Sequence, residues 1–523
     1  MFPHGDEYAA RVTRHSPKRW QTLLLSVVIG LCIGLGQPPM MLWPVMMVGV
    51  AAFTWLTTGM SKRAAFGHGY IVGLAMNALT ISWIGVLGVP IAIALIAFMA
   101  LWYGVLGIAI SRLVQLPGWP LWVAAAWGCM EFAAIRMPFG GFAWTRLAFA
   151  STDMPLSGFL PYIGASGVGI LIALISNLLL SITRKRWIAQ ALTASLAFVV
   201  GGSLLWIPPD AAGETINVGL AQPNVNRELY GTPEYPRAVT NNSLSSTIML
   251  AADARLQDKP VDFVLWPESA TDHDPLSDAR AKQQVRLAVA LAEAPVLVGA
   301  VTYPETPPDS RQTTSIWWSE EGPGEMYHKR NLVPFGEWIP FRAQLLPVIP
   351  MLEMVGKQGV PGDAPGVVTG TDRDGKPLAI GAIICFELAY DETVYDTVRH
   401  GGEIIVSQSN ENTYAGTFQI AQQFNQNRIR AKELRREIFV STLNSVSGFV
   451  DATGRAHDLS GEYEAASRIV ELPRRTNRTS APDVGPLLNW TSVLLTFGGL
   501  AAAFVRARSS RVNSMGTGDR EGK

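Results

Sequence analysis

Three residues far apart in this chain carry side chains that together can perform acyl chemistry: Glu268, Lys329 and Cys385. Cys385 lies in the stretch PLAIGAIICFELAY, residues 377–390, with Glu387 two residues on. A thiol there can act as a nucleophile, provided that a base takes its proton and a cation or N–H group holds the oxyanion that forms. Glu268, at the end of FVLWPE, is a candidate base, and Lys329, in YHKRNLVPFGEWIP, is a candidate cation. Taken singly, each has a plainer explanation: a packed thiol, a carboxylate at a helix start and a solvated surface charge.

These residues need elements that bring them together. The β-branched content of 377–384, after the turn-like Asp372-Arg373-Asp374-Gly375, predicts a buried strand that delivers Cys385 to its end. Similar short apolar runs at 215–220, 263–268, 295–301, 403–407, 438–443 and 448–451 alternate with helical stretches near 278–293 and 419–436. Such alternation predicts an α/β domain, with sheets covered by helices. That domain is expected over residues 210–485.

The rest of the chain is of another kind. Of 523 residues, 48% are hydrophobic and 16% charged, well below the roughly 25% charged of soluble domains, so part of the protein is expected in lipid. Lys and Arg balance Asp and Glu at 42 each, which argues against nucleic acid as a partner. Two of the three cysteines, Cys32 and Cys129, fall in apolar segments, and no zinc-type spacing exists. No metal or cofactor is implied.

Apolar stretches at 21–36, 40–57, 67–87, 91–110, 119–134, 160–182, 187–207 and 490–505 are each near the roughly 20 residues of a membrane-crossing helix. They predict about eight spans, seven within residues 1–209 and one within 486–523. A signal peptide is rejected at the start, because a second apolar stretch follows the first and no small-residue cleavage site separates them. Basic clusters at Arg11, Arg14, Lys18 and Arg19, at Lys62 and Arg63, at Arg112, at Arg184-Lys185-Arg186, and at Arg506, Arg508 and Arg511 occupy alternate connections, with Arg136 and Arg146 the exceptions in an outer one. Both termini are therefore expected in the cytoplasm and the polar domain outside it. The loop 137–156, rich in Gly, Phe and Trp, reads either as an aromatic belt at the membrane interface or as a contact for lipid or a partner. Residues 338–354, WIPFRAQLLPVIPMLEM, are apolar yet broken by Pro340, Pro347 and Pro350, and read as a flap able to dip into the outer leaflet.

LWPES around Glu268, YHKRNLVPFGEWIP around Lys329 and Glu337, and IICFE around Cys385 resemble the Glu-Lys-Cys motifs of the nitrilase superfamily. With the flanking apolar helices and the loop GGFAWTRLAFA, the chain resembles the membrane-embedded apolipoprotein N-acyltransferase family in particular. That resemblance implies an αββα sandwich outside a bacterial cytoplasmic (inner) membrane. It implies a ping-pong transfer from a phospholipid donor, through a Cys385 thioester, to the N-terminal amine of a diacylated lipoprotein acceptor. Glu268 would serve as base, and Lys329 with the backbone N–H of Phe386 as oxyanion donors. Glu337 and Glu387 would support them by orienting Lys329 or the entering amine. Phe386 stands where the family usually has Tyr.

Two rival readings bear on the same residues. A membrane-tethered amidase or nitrilase would use the same three groups to hydrolyse a C–N bond. A transporter or scaffold would need intramembrane ionisable groups, of which Glu131 is the one carboxylate in the predicted spans.

Overall fold

The computed structural model describes residues 19–181, 187–211, 213–225, 232, 234–271 and 273–518. The basic residues Arg11, Arg14, Lys18, Arg184, Lys185 and Arg186 lie outside these, as do the side chain of Arg511 and residue 212 within the polar domain. The chain divides into two compact units. One comprises Met1–Met137, Gly141–Trp206 and Asp483–Lys523, and the other Pro138–Gly140 and Ile207–Pro482.

The first unit is helical. Helices Arg19–Gly34, Trp43–Thr57, Lys62–Thr80, Val89–Leu113, Trp119–Ala134, Leu160–Leu180, Trp187–Leu204 and Ala481–Gly518 fall on the apolar stretches of the sequence. Among the described residues, three segments, Val89–Leu113, Pro155–Leu180 and Ala481–Ser509, are long and apolar enough to cross a membrane by length and composition. The stretch expected to span 67–87 is broken, its helix ending at Thr80 and a 3-10 turn taking over at Ser82–Leu87.

This unit has an apolar interior, with Ile33, Val50 and Trp127 buried, and also turns apolar side chains outward. Val48, Leu192 and Leu494 are largely exposed while Asn77 and Asn177 are buried, each amide bonded back to its own helix at 2.7–2.8 Å. In a lipid environment outward apolar groups cost nothing, whereas every polar group must find an internal partner. Small residues let the helices approach closely: a Cβ at Gly69 would sit 2.4 Å from the Tyr103 carbonyl oxygen. Glu131 is accounted for structurally. It accepts from Leu147 N at 2.8 Å and lies 3.9 Å from the buried Arg146 guanidinium, which donates to Ser166 Oγ at 2.7 Å.

The second unit contains two sheets. Strands β1 (Thr215–Gln222), β2 (Phe263–Leu265), β3 (Val296–Thr302), β4 (Ser310–Ser319), β5 (Gly322–His328) and β6 (Gln358–Gly359) precede β7 (Val367–Thr371), β8 (Pro377–Ile384), β9 (Ile404–Ser409), β10 (Ile438–Thr442), β11 (Gly448–Val450), β12 (Ala456–His457) and β13 (Ala466–Pro473). One sheet runs β13-β1-β2-β3-β4-β5 with β6 beside β4, and the other runs β12-β11-β10-β9-β8-β7. Within them β1, β2 and β3 are mutually parallel, as are β8, β9 and β10.

The two-residue period of each strand sorts its side chains into layers. Leu378, Ile380, Ala382 and Ile384 of β8 meet Val218, Leu220, Leu265 and Leu297 of the other sheet in one core. The opposite faces are covered by helices. Ile383 and Ile405 pack on helices Asp391–Arg399 and Phe418–Leu434, and Val264, Val296 and Val298 pack beneath helices Tyr235–Leu256 and Ala279–Ala292. The result is a four-layer αββα sandwich. Each Leu or Ile buried in the middle contributes about 1.5–3 kcal/mol, which is why β8, buried on both faces, reads as a continuous apolar run.

The flap carries a single helical turn, Arg342–Leu345, and a 3-10 segment, Pro350–Val355. Its prolines keep it from forming a longer helix. Phe341, Val348 and Met354 are 66%, 75% and 81% exposed, a run of apolar surface that water does not favour.

Candidate active site

Strand β8 ends at Ile384, and Cys385 takes a φ of 53°, in the left-handed region that non-glycine residues seldom occupy. Such a conformation costs on the order of 1–3 kcal/mol and persists only where the surroundings impose it. Glu387 supplies much of that imposition. Buried completely, its carboxylate accepts from Ile384 N at 2.9 Å, Tyr327 Oη at 2.7 Å and Arg330 N at 2.6 Å, tying the end of β5 to the turn Cys385–Ala389. Arg430 holds that turn from the other side. Its Nε donates to the Leu388 carbonyl at 2.8 Å, while its other nitrogens reach Asp391 at 2.9 Å and Glu433 at 2.6 Å.

Glu268 follows β2 across the sandwich. The segment Pro267–Glu268 crosses β3 so closely that a Cβ at Gly299 would lie 2.0 Å from the Pro267 carbonyl oxygen, so glycine is required there. Gln408, at the end of β9, donates to the Trp266 carbonyl at 2.7 Å and links the two sheets. Beside it, Asn410 N donates to Glu268 Oε2 at 2.8 Å. Lys329, the residue after β5, donates from Nζ to Glu268 Oε1 at 3.0 Å and to Glu337 Oε1 at 2.9 Å. Glu337 is itself fixed by Val333 N at 2.8 Å.

The electrostatics follow from burial. Burial works against the Lys329 ammonium, but Glu268, Glu337 and the charge on Cys385 overcome it and hold its pKa well above the lysine range. Burial pushes the Cys385 thiol well up, Glu268 adds to this, and Lys329 pulls it down. Glu268 is also raised, by burial first, with Lys329 opposing and Glu337 adding. A raised carboxyl is a better proton acceptor than an ordinary carboxylate, and a thiol held beside an ammonium can ionise when its proton is taken. Glu411, on the loop after β9, is pushed up to about 8, by burial and then by the charges of Glu268 and Glu462.

Thus Glu268, Lys329 and Glu337 form one contact cluster, and Cys385 lies within its field. Glu387 spends its bonds on strand ends and on Tyr327. The Phe386 ring packs edge-on against Tyr390, with centroids 5.2 Å apart. Residues that sequence reasoning passed over are Arg430, Glu411 and Gln423, whose Nε2 lies 3.7 Å from Cys385 Sγ. A trace of them was visible. The helix Phe418–Leu434 buries Gln419, Gln422, Gln423, Asn425, Gln426 and Asn427, and a covered helix rich in amides needs a reason for them.

This arrangement joins a thiol on a strained turn, a buried carboxylate, and a cation fixed by two carboxylates. The loops of the candidate site extend from the ends of β2, β5, β8 and β9.

Comparison with known proteins gives matches of three kinds. Residues 29–178 match the family model described as apolipoprotein N-acyltransferase N-terminal domain, and residues 235–473 that described as carbon-nitrogen hydrolase. An apolipoprotein N-acyltransferase of Mycolicibacterium smegmatis is 29% identical over 91% of this chain and 83% of its own. One of Shewanella oneidensis is 23% identical over 95% and 98%. Among solved structures, an amidase from Nesterenkonia sp. aligns at 15% identity and a TM-score of 0.34, covering 50% of this chain and 91% of its own.

Proposed function

The chain belongs to the apolipoprotein N-acyltransferase family, and from that premise we propose how its residues carry an acyl group from a phospholipid to the α-amine of a diacylated lipoprotein. The observation that carries the reading is the Glu268–Lys329–Glu337 cluster set against Cys385 at the strand ends of the sandwich.

Glu268 accepts the Cys385 proton, and the thiolate attacks the ester carbonyl of the donor. Lys329 and the backbone N–H of Phe386 stabilise the oxyanion, at about 3 kcal/mol per donor. The C–O bond breaks, the lysophospholipid leaves with the proton from Glu268, and a thioester remains. Glu268 then takes a proton from the incoming amine. The amine attacks the thioester, an amide forms and the thiolate is released. Glu337 fixes Lys329, and Glu387 fixes the turn that carries Cys385.

Residues 1–209 and 486–523 anchor the enzyme in the bacterial cytoplasmic membrane through about eight spans, and residues 210–485 form the catalytic domain on the extracytoplasmic side, with both termini cytoplasmic. The alternating basic connections support this sidedness, and the outward apolar side chains of the helices support the membrane location. The test uses full-length protein in vesicles with labelled phospholipid and a diacylated peptide whose amine is free or acetylated. Labelled amide on the free-amine peptide alone is expected. Equal release of free fatty acid with either peptide would instead mean hydrolysis, the amidase reading.

A further inference from the structure

Gln423 is 1% exposed, and its side chain is held at three points. Nε2 donates to Ser409 Oγ at 2.8 Å and reaches Cys385 Sγ at 3.7 Å. Oε1 accepts from Gln419 Nε2 at 2.6 Å, one helical turn back. Both N–H bonds are therefore committed, and the carbonyl is turned away from the sulfur. The register explains the placement. Ile384 of β8 pairs with Gln408 of β9, so Cys385 and Ser409 emerge side by side, beneath the helix Phe418–Leu434.

We propose that the Gln423 amide is a catalytic hydrogen-bond donor to Cys385, stabilising the thiolate both when it attacks the donor and when it is expelled from the thioester. The proposal rests on Cys385 being the nucleophile. A neutral thiol or a thioester sulfur is a weak acceptor, whereas hydrogen bonds to an ionised partner are about twice as strong as neutral ones. The contact therefore favours the charged species, the condition for accelerating a step rather than tightening a complex. The balance is unchanged: the proton leaves Sγ for Glu268, and the sulfur's electron pair forms the S–C bond. Four charged groups set the field at this sulfur. Lys329, after β5, lowers the thiol pKa, whereas Glu268, after β2, Glu337 and Glu411, after β9, raise it. Once Glu268 has taken the proton it is neutral, and Lys329 and neutral donors are left to hold the thiolate. Among the described residues, Gln423 is the side chain seen donating to it.

The test is the pH dependence of Cys385 alkylation by iodoacetamide in detergent-solubilised full-length protein, with its peptide resolved by mass spectrometry from those of Cys32 and Cys129. Gln423→Met keeps length and removes the donors, and Gln423→Glu replaces them with an acceptor. Gln419→Met keeps Gln423 but frees its carbonyl. The Met variant at 423 is expected to raise the alkylation midpoint by about one pH unit, about tenfold less thiolate at pH 7. The Glu variant should raise it further and the Gln419 variant less. kcat for acyl transfer should fall at least about tenfold in Gln423→Met, with KM within about twofold. A midpoint that stays put or falls in both Gln423 variants would overturn the proposal. If both lose the fold, the Gln419→Met midpoint decides in the same way. Alkylation needs no lipid, so a raised midpoint without any thioester from phospholipid would keep Gln423 in its role and remove the donor reading instead.

Discussion

Replacing Glu411 by Gln isolates the energetic cost of a buried carboxylate beside the nucleophile. Glu411 is 4% exposed, and its pKa is pushed up to about 8 from an ordinary 4.5. Because the folded value lies above the unfolded one, the native state keeps a proton that the unfolded chain has already lost between those two values. Stability therefore falls as pH rises from about 4.5 to about 8 and levels off above. A separation of about 3.5 units, at about 1.4 kcal/mol each, sets a ceiling near 5 kcal/mol, part of which relaxation around the charged form returns. Gln mimics the protonated acid at every pH and removes this slope. The assay is thermal unfolding of the detergent-solubilised protein at pH 5 and pH 9, wild type against Glu411→Gln. At about 2–4 °C per kcal/mol, the variant should gain at least about 4 °C on wild type between the two pH values. The ionised carboxylate also raises the Cys385 thiol pKa, so alkylation at pH 9 should be faster in the variant. A melting difference that is the same at pH 5 and pH 9 would refute the reasoning.

Three further outcomes are expected. Arg430→Met leaves Asp391 and Glu433 buried without their cation and frees the Leu388 carbonyl; it should cost about 3–5 kcal/mol, read as a lower unfolding midpoint, with Arg430→Lys restoring part of it. Glu337→Gln removes one of the two carboxylates on Lys329 and should slow thioester formation and aminolysis alike, each by about ten- to a hundredfold, measured in separate single-turnover reactions. Leu345→Ser with Leu346→Ser in the flap should weaken turnover of vesicle phospholipid while leaving Cys385 alkylation unchanged; equal loss of both would mean that the change unfolded the site.

The sandwich was readable where a single strand carried its own signature. β3, β8, β9 and β10 lie within two or three residues of the runs picked out by apolar content, because each carries an apolar stretch buried on both faces, although β9 and β10 end on buried Ser, Gln and Thr. The hairpin β4–β5 and the edge strand β13 went unpredicted. Ser310–Ser319 opens on polar residues rather than an apolar run, whereas Ala466–Pro473 mixes exposed and buried positions and is held by a partner distant in sequence, β1. The Glu268, Lys329, Cys385 and Glu337 motifs could be picked out because each lies in a distinctive phrase, although their meeting depends on sheet order. Glu387 was expected beside Lys329 or the amine, yet its carboxylate bonds Ile384 N, Arg330 N and Tyr327, a role that only the turn at Cys385 reveals. Gln423 and Arg430 were harder to read for a different reason. Polar residues on a helix read as its solvated face until a second layer is seen to cover them.

The central claim is that Cys385 carries the acyl group, and the most direct measurement is intact and peptide mass spectrometry of the full-length protein after incubation with a defined phospholipid and no acceptor. One acyl chain is expected on Cys385 as a hydroxylamine-sensitive thioester, lost on adding a diacylated peptide with a free amine and absent from Cys385→Ala. An unmodified Cys385 in the wild-type protein, or acylation that persists in Cys385→Ala at another residue, would contradict the account.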